Sequence, residues 1–182
     1  MEIIFVTTNK GKLEEAVEMG AHYGIEFIPN DYDAVEIRSS DPEGIAVESA
    51  KDAYEKIKKP LIVEDSGLFI NTLKGFPGTY SAFVFDTIGV NGVLKVMENK
   101  VNRKATMRSA VAYTDGEEVK SFLGEVKGVI PKDSKGTSGF GYDPIFVPEG
   151  KDRTFGEDLD YKAQVSHRAQ SIRKFCEWYS KK

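Results

Sequence analysis

Residues 3–16 read IIFVTTNKGKLEEA, an apolar run that stops abruptly at the polar stretch TTNKGK, residues 7–12. This pattern predicts a strand over residues 2–7 and a helix over residues 11–23. The helix is expected to bury one side, formed by Leu13, Ala16, Val17 and Gly20. A strand that leads into a helix through a polar loop is typical of α/β folds, in which ligands bind beyond the carboxyl ends of strands.

A second helix is predicted from Asp41-Pro42-Glu43 to about Lys58. Its start combines an N-cap aspartate, a proline at the first helical position and an acid near the positive end of the helix dipole. A short strand, IEFIP, precedes it at residues 25–29, and a buried strand, LIVED, follows at residues 61–65. Ser66-Gly67 is expected to break this last strand before LFI.

The second half of the chain predicts a turn, a pair of helices, a hairpin and a final helix. The turn is GFPGTY, and the helices are expected near residues 80–87 and 90–98. KATMRSAVAYT and EEVKSFLGEVKGVI flank Asp115-Gly116, which predicts a two-residue hairpin turn. After a glycine- and serine-rich loop at residues 131–144, the last helix is expected to bury a stripe of Ala169, Ile172, Cys176 and Tyr179. These elements predict an α/β fold, a mixed sheet covered by helices.

Composition limits the classes of function. The 182 residues suit one domain, 1–182, or two small lobes that share a core. We expect a cytoplasmic protein without a membrane partner, because no apolar run approaches the roughly 20 residues of a span. Cys176 is the single cysteine, which excludes an internal disulfide. The net charge of −4 argues against a nucleic-acid partner and favours a small-molecule site.

The stretch TTNKGK has the composition of an anion site at a helix start. Free backbone N–H groups and the helix dipole favour an anion there. Thr7, Thr8 and Asn9 can add side-chain donors, and Lys10 and Lys12 add positive charge. Gly11 allows a close approach of the backbone to the anion. It is not a P-loop, because no glycine precedes it and the residue after Lys12 is neither serine nor threonine. The structural alternative is a capped helix with solvated lysines.

Two adjacent acids, Glu64 and Asp65, end the strand LIVED. Adjacent strand residues point to opposite faces, so these two do not form a side-by-side pair. One can hold hydrated Mg²⁺ while the other orients water, because Mg²⁺ commonly uses one or two carboxylates plus substrate phosphates. Glu36 is a third acid of this kind. The alternative is an ordinary acidic strand end.

GTSGFGYDPIFVPEG, residues 136–150, suggests a site for a base. Phe140 can stack on the base and Asp143 can accept hydrogen bonds from its edge; alternatively, Phe140 fills a gap in the core. Further on, Ser166 can cap the final helix, which leaves His167 and Arg168 in its first turn. A cation is unfavourable at that end of the dipole, so another group is expected to fix Arg168. A purely structural role is the alternative for His167.

Taken together, these stretches resemble the inosine triphosphate pyrophosphatases, also called noncanonical purine NTP pyrophosphatases. The similarity runs from residue 7 to 168, with GFGYDPIF and the downstream SHR as its most specific parts. The other matching pieces are TTNKGKLEE, VEI, EDSGL, GFPGTYSA, TFGE and YKAQVSHR. Many relatives carry two aspartates where this chain has Glu64-Asp65, which affects the expected metal geometry. The helix after Glu36 matches the family only loosely. Many bacterial relatives have a lysine in this helix, and whether Lys51 corresponds to it stays open.

The resemblance implies an elongated mixed β-sheet flanked by helices, in two lobes with a central nucleotide-binding cleft, and a homodimer. It implies Mg²⁺-dependent cleavage of ITP, dITP or XTP to the monophosphate and pyrophosphate. The implied metal ligands are Glu36, Glu64 and Asp65, with Asp65 also the general base. The implied substrate-binding residues are Thr7, Thr8, Asn9, Lys10, Gly11, Lys12, Ser66, Phe140, Gly141, Tyr142, Asp143, Lys162, His167 and Arg168.

Three other functions remain open from the sequence. A nucleotide sensor without turnover is disfavoured by the intact set Lys12, Glu36 and Asp65. A nucleic-acid-binding protein is disfavoured by the acidic charge balance. A pyrophosphatase of pyrimidine triphosphates is the remaining enzyme alternative, and a substrate panel separates it from the purine-specific prediction.

Overall fold

The computed structural model describes all residues, 1–182, and contains seven strands and five helices. The strands are β1 (Glu2–Val6), β2 (Glu26–Asn30), β3 (Leu61–Ile70), β4 (Pro77–Gly78), β5 (Lys104–Thr114), β6 (Val119–Val129) and β7 (Val147–Pro148). The helices are α1 (Lys10–Ala21), α2 (Pro42–Ile57), α3 (Ser81–Val96), α4 (Leu159–Val165) and α5 (His167–Tyr179). None of these helices is long and apolar enough to cross a membrane.

The strands form one mixed sheet in the order β2-β1-β3-β5-β6-β7, with β4 paired to β3. β1 runs parallel to both β2 and β3, and Phe5 of β1 aligns with Pro29 and Ile62. β3 pairs antiparallel with β4, as β6 does with β7. The predicted α/β class with a mixed sheet is therefore confirmed.

The chain divides into two compact units, each built from separate segments. The first unit contains Met1–Asp65, Ser109–Gly124 and His167–Lys182, and the second contains Ser66–Arg108 and Glu125–Ser166. A single domain over residues 1–182, and two lobes with a central nucleotide-binding cleft, stay predictions.

In the first unit, α1 and α5 pack against each other and contribute to an aromatic core with β1 and β2. Ile172 and Cys176 of α5 are fully buried in this core, as the apolar stripe predicts. In α1, Ala16 and Gly20 are buried, but Val17 is 48% exposed, so the prediction for Val17 was wrong. The buried side of α1 is narrower than its sequence suggests.

The start of α2 is formed as predicted. The Asp41 carboxylate accepts hydrogen bonds from the backbone N–H groups of Glu43 and Gly44, and Pro42 occupies the first turn. The helix ends at Ile57, and Lys58 follows in the left-handed conformation. These contacts satisfy N–H groups that a helix start otherwise leaves unpaired.

The predicted break at Ser66-Gly67 was wrong, because β3 continues from Leu61 to Ile70. A Cβ atom at Gly67 would lie 2.1 Å from the carbonyl oxygen of Gly78, and Gly78 pairs with Leu68. Gly67 therefore permits the close approach of β4, and the strand passes through it.

The connection between β5 and β6 is longer than the predicted two-residue turn. The strands end at Thr114 and begin again at Val119, which leaves four residues between them. The Asp115 carboxylate accepts hydrogen bonds from the backbone N–H groups of Glu117 and Glu118, so its side chain organises the longer turn. The helical pair near residues 80–98 is present as α3, which kinks at Gly89.

Candidate functional site

The polar stretch after β1 forms the capped start of α1. The Asn9 side chain accepts a hydrogen bond from the Lys12 backbone N–H, and the Thr7 hydroxyl accepts one from Asn9. Lys10 and Thr8 are exposed. Lys12 differs from Lys10, because its side chain reaches Glu64, the fourth residue of β3. The two lysines therefore occupy different environments within one helical turn.

Glu64 is the centre of a buried ion-pair network in the first unit. Its side chain has no exposed surface, and its Oε2 lies 2.8 Å from Lys12 Nζ. Lys12 Nζ also donates a hydrogen bond to the Glu64 carbonyl oxygen at 3.0 Å. On the other carboxylate oxygen, Oε1, Arg168 Nε donates at 3.1 Å and the Ser109 hydroxyl at 2.6 Å. The Glu64 carboxylate thus contacts two cations and one hydroxyl group.

The charge of Glu64 is set by opposing effects. Burial alone raises the pKa of a carboxyl group, because it disfavours the charged form. The Arg168 guanidinium and then the Lys12 ammonium outweigh burial and hold the pKa of Glu64 well below its ordinary value of 4.5. Hydrogen bonds from Lys12 and Ser109 act in the same direction. Glu64 is therefore ionised at neutral pH and compensated by its cations.

Arg168 lies in the first turn of α5, as predicted, and two carboxylates hold it there. Its Nε contacts Glu64, and its Nη1 lies 2.9 Å from Oε2 of Glu15 on α1. These two carboxylates offset the unfavourable position of a cation at the positive end of the helix dipole, as expected for Arg168. The network extends to Ser171, whose hydroxyl lies 2.8 Å from that of Ser109. Sequence reasoning missed Ser109 and Ser171, which lie outside the quoted motifs, and it gave no role to Glu15, which ends the stretch TTNKGKLEE.

The three predicted metal-associated acids have different surroundings. Asp65 is half-buried and directly follows Glu64 on the unbroken strand β3, so their side chains point to opposite faces. Glu36 is exposed on the loop before α2. No group of three or more histidine, cysteine or acidic side chains lies close enough to form a complete metal cage. The carboxylates of Glu36 and Asp65 nevertheless suit Mg²⁺, which needs only one or two of them when phosphates supply further oxygens.

The loop that carries Glu36 is held to α2 through both backbone groups of the preceding residue, Val35. The Asp52 carboxylate accepts a hydrogen bond from the Val35 N–H, and the Ser49 hydroxyl donates one to the Val35 carbonyl oxygen. Lys51, whose alignment with the family's helical lysine the sequence left open, forms an exposed ion pair with Glu48. Asp52 and Ser49 therefore position the backbone next to Glu36.

In the second unit, Asp143 organises the predicted base-binding loop. The side chains of Asp143 and Lys162 are both almost fully buried, and Lys162 Nζ lies 2.5 Å from Asp143 Oδ2. The same carboxylate oxygen accepts a hydrogen bond from the Phe140 N–H at 2.8 Å. The Lys162 ammonium also lies 4.5 Å from the centre of the Phe140 ring. The structure thus brings three predicted substrate-binding residues together.

Tyr142 anchors the same loop to α3. Its hydroxyl donates a hydrogen bond to the Ser81 carbonyl oxygen, and its ring packs edge-on against Phe85. Burial raises the pKa of Tyr142 far above its ordinary value, so the phenol is neutral and acts as a donor. Gly141 has a φ of 60°, which a glycine adopts without strain. The contacts of Tyr142 therefore give the loop a defined conformation.

Comparison with known families identifies the chain. The sequence pattern of the Ham1 family matches residues 3–178. The chain belongs to the Ham1 family. This match spans both units, from β1 into α5.

Several known proteins are similar to this chain over nearly their whole length. The dITP/XTP pyrophosphatase of Methanopyrus kandleri is 48% identical, over 98% of this chain and 96% of that protein. The dITP/XTP pyrophosphatase of Thermococcus kodakarensis is 44% identical, over 98% of this chain and 97% of that protein. The solved structure of a HAM1 protein from Coxiella burnetii has a TM-score of 0.87 at 28% identity and covers 100% of both chains. The Staphylococcus aureus Ham1 protein gives 0.85 at 28% identity, over 100% of this chain and 99% of that one.

Proposed function

We propose that the protein hydrolyses noncanonical purine nucleoside triphosphates, such as ITP, dITP and XTP, to the monophosphate and pyrophosphate. The observation that carries this proposal is the 48% identity to a dITP/XTP pyrophosphatase over 98% of the chain. The buried network around Glu64 supports it, because an ordered lysine and arginine suit a substrate with a triphosphate and a polar base. The role is removal of such nucleotides from the cellular pool, in the cytoplasm.

In the proposed mechanism, Asp65 activates or orients a water molecule that attacks the α-phosphorus. An ionised carboxylate within hydrogen-bond reach of the water can accept the proton as a general base. The segment from Thr7 to Lys12 binds the phosphates through backbone N–H groups, side-chain donors and positive charge. Mg²⁺ held by Glu36 and Asp65 would neutralise charge on the departing pyrophosphate. Such catalysis is mainly positioning and electrostatic stabilisation.

Base selection is assigned to two sets of residues. His167 and Arg168 donate hydrogen bonds to the 6-oxo group of hypoxanthine or xanthine. Adenine has a 6-amino group at this position, which is itself a donor, so the same two side chains disfavour adenine. Phe140 stacks on the base, and the remaining predicted contacts come from Ser66, Gly141, Tyr142, Asp143 and Lys162. A site built on hydrogen bonds rejects a mismatched base by roughly 10⁴-fold or more, because buried polar groups stay unpaired.

A substrate panel tests this function. ITP, dITP, XTP, GTP, ATP and dUTP are each incubated with the protein, with Mg²⁺ and with a chelator, and pyrophosphate is detected as phosphate after adding inorganic pyrophosphatase. We expect hydrolysis of ITP, dITP and XTP only with Mg²⁺. Preference for dUTP would overturn the purine assignment, and binding without hydrolysis would support a sensor.

The proposed assembly is a homodimer without a nucleic-acid partner. Light scattering coupled to size-exclusion chromatography is expected to give twice the chain mass of 20.2 kDa. A gel shift with duplex and single-stranded DNA at moderate salt is expected to show no complex, because the net charge is −4.

A further inference from the structure

Glu64 presents an arrangement that the metal-binding prediction does not explain. Its Oε2 lies 2.8 Å from Lys12 Nζ, and its Oε1 accepts hydrogen bonds from Arg168 Nε and the Ser109 hydroxyl. Both carboxylate oxygens are thus engaged by groups of the same unit. A divalent cation on Glu64 would meet the like charges of Lys12 and Arg168 at close range, which is unfavourable in a buried setting.

The proposed function assigns both cations that contact Glu64 to the nucleotide. Lys12 is assigned to the phosphates and Arg168 to the purine. Lysine and arginine side chains lose considerable conformational entropy when a ligand orders them. A side chain that is already held in one orientation reduces this cost and therefore strengthens binding.

The surroundings of Glu64 keep its carboxylate in a fixed orientation. Ser109 on β5 donates to Oε1 at 2.6 Å, and its hydroxyl lies 2.8 Å from that of Ser171. The Ser171 hydroxyl also lies 3.1 Å from the carbonyl oxygen of Arg168. These polar contacts thus join β3, β5 and the first turns of α5.

We propose that Glu64 is a positioning residue, which holds Lys12 and Arg168 in the orientations that bind the nucleotide and does not ligate Mg²⁺. This inference rests on the proposed function, because that function assigns Lys12 and Arg168 to the substrate. Asp65 and Glu36 are then the two metal-associated carboxylates. The glutamate at position 64, where many relatives have an aspartate, then lengthens a side chain that pairs with Lys12 and Arg168. It does not alter the metal site, which consists of Glu36 and Asp65.

The test compares Glu64→Gln, Glu64→Asp and Glu15→Gln with the wild type. Binding of a nonhydrolysable ITP analogue, with a methylene group between the α- and β-phosphorus atoms, is measured by calorimetry in EDTA. Glu64→Gln is expected to weaken this metal-free binding about 5- to 100-fold, because two side chains lose their fixed orientation. Glu64→Asp keeps the charge and should restore part of the affinity. Glu15→Gln should have a smaller effect, since Glu15 pairs with Arg168, whereas Glu64 pairs with both cations.

Two further measurements separate the alternative roles of Glu64. The Mg²⁺ concentration for half-maximal ITP hydrolysis should be unchanged in Glu64→Gln; a rise with normal metal-free binding would overturn the proposal in favour of a metal ligand. A lower unfolding temperature with normal analogue affinity would overturn it in favour of a purely structural role.

Ser109→Ala keeps the proposal testable if Glu64→Gln does not fold. This variant removes one hydrogen bond to Glu64 and leaves all charges in place. It should weaken analogue binding in the same direction by a smaller factor, and normal affinity in both Ser109→Ala and Glu64→Asp would reject the positioning role. Failure of the wild type to hydrolyse ITP, dITP and XTP would instead reject the proposed function, independently of any Glu64 variant.

Discussion

Lys12 Nζ contacts the side chain of Glu64 at 2.8 Å and also donates a hydrogen bond to the backbone carbonyl oxygen of the same residue. This double contact fixes a flexible side chain to the strand that carries Asp65. Lys10, two residues earlier, is exposed. The stretch TTNKGK therefore contains one ordered lysine and one solvated lysine.

Replacing Lys12 is expected to impair ITP hydrolysis far more than replacing Lys10. Lys12→Ala should lower kcat/KM about 10- to 100-fold, because a charge-assisted contact to phosphate is lost, whereas Lys10→Ala should stay near the wild type. Steady-state kinetics with Mg²⁺ measures both variants, after circular dichroism has established that each is folded. Equal losses would show that the loop acts only as diffuse positive charge.

Asp65→Asn is expected to abolish turnover while much of the substrate binding remains. The amide has nearly the shape of the carboxylate but cannot accept a proton, and loss of a general base costs about 10²- to 10⁴-fold in rate. Single-turnover hydrolysis and calorimetric binding of the ITP analogue check the two parts separately. The exposed Asp152→Asn serves as the matched control. Near-normal turnover in Asp65→Asn would reject the base assignment.

Gly124→Ala is expected to destabilise the first unit and disturb the start of α5. A Cβ atom at Gly124 would lie 1.9 Å from the carbonyl oxygen of His167, so the helix start must move. Overpacking of this kind costs about 1–3 kcal/mol, measured by denaturant unfolding. Gly44→Ala is the control, because its nearest contact, 3.6 Å from an Asp41 side-chain oxygen, is an ordinary one. Unchanged stability in Gly124→Ala would contradict the close packing of β6 against α5.

Asp115 is expected to contribute stability that acid removes. The hydrogen bond from Lys182, followed by one from the Glu118 N–H, holds the pKa of Asp115 below its ordinary value of 3.8. A lowered folded-state pKa stabilises the fold above the unfolded-state value, and this contribution is lost as the pH falls toward the folded-state pKa. Asp115→Asn should therefore be less stable than the wild type at neutral pH.

The stability difference between Asp115→Asn and the wild type should shrink below about pH 3.8. Its size at neutral pH is modest, because the Asp115 and Lys182 side chains are partly exposed and solvent screens the pair. Urea unfolding across the acid range measures the difference, with the exposed Asp133→Asn as control. A difference that does not change with pH would contradict the charged role of Asp115.

Local signals in the sequence predicted local structure well. Asp41 and Pro42 specify the start of α2, because the capping contacts lie within three residues. The need for a group that fixes Arg168 followed from the helix dipole, and Glu15 and Glu64 meet it. The identity of these partners was not predictable, since Glu64 lies 104 residues from Arg168 and only the folded sheet brings them together.

Two features that local sequence patterns did not reveal share a physical cause, because each depends on contacts with a distant segment of the chain. Gly67 looks like a strand break until Gly78 approaches it from another segment. Ser109 looks like an ordinary polar residue of β5 until Glu64 and Ser171 lie beside it. The short helix α4, Leu159–Val165, was not predicted because seven residues give too little periodicity to separate a helix from a loop.

The division of the chain into interleaved segments has a consequence for its synthesis. Every residue of the second unit precedes His167, whereas the first unit needs α5, whose Ile172, Phe175 and Cys176 complete its core. On the ribosome, the second unit can acquire all its residues while the first unit still exposes the apolar surfaces of β1 and α1. The first unit therefore depends on contacts between distant parts of the chain, which form slowly and leave apolar surface open to aggregation during translation.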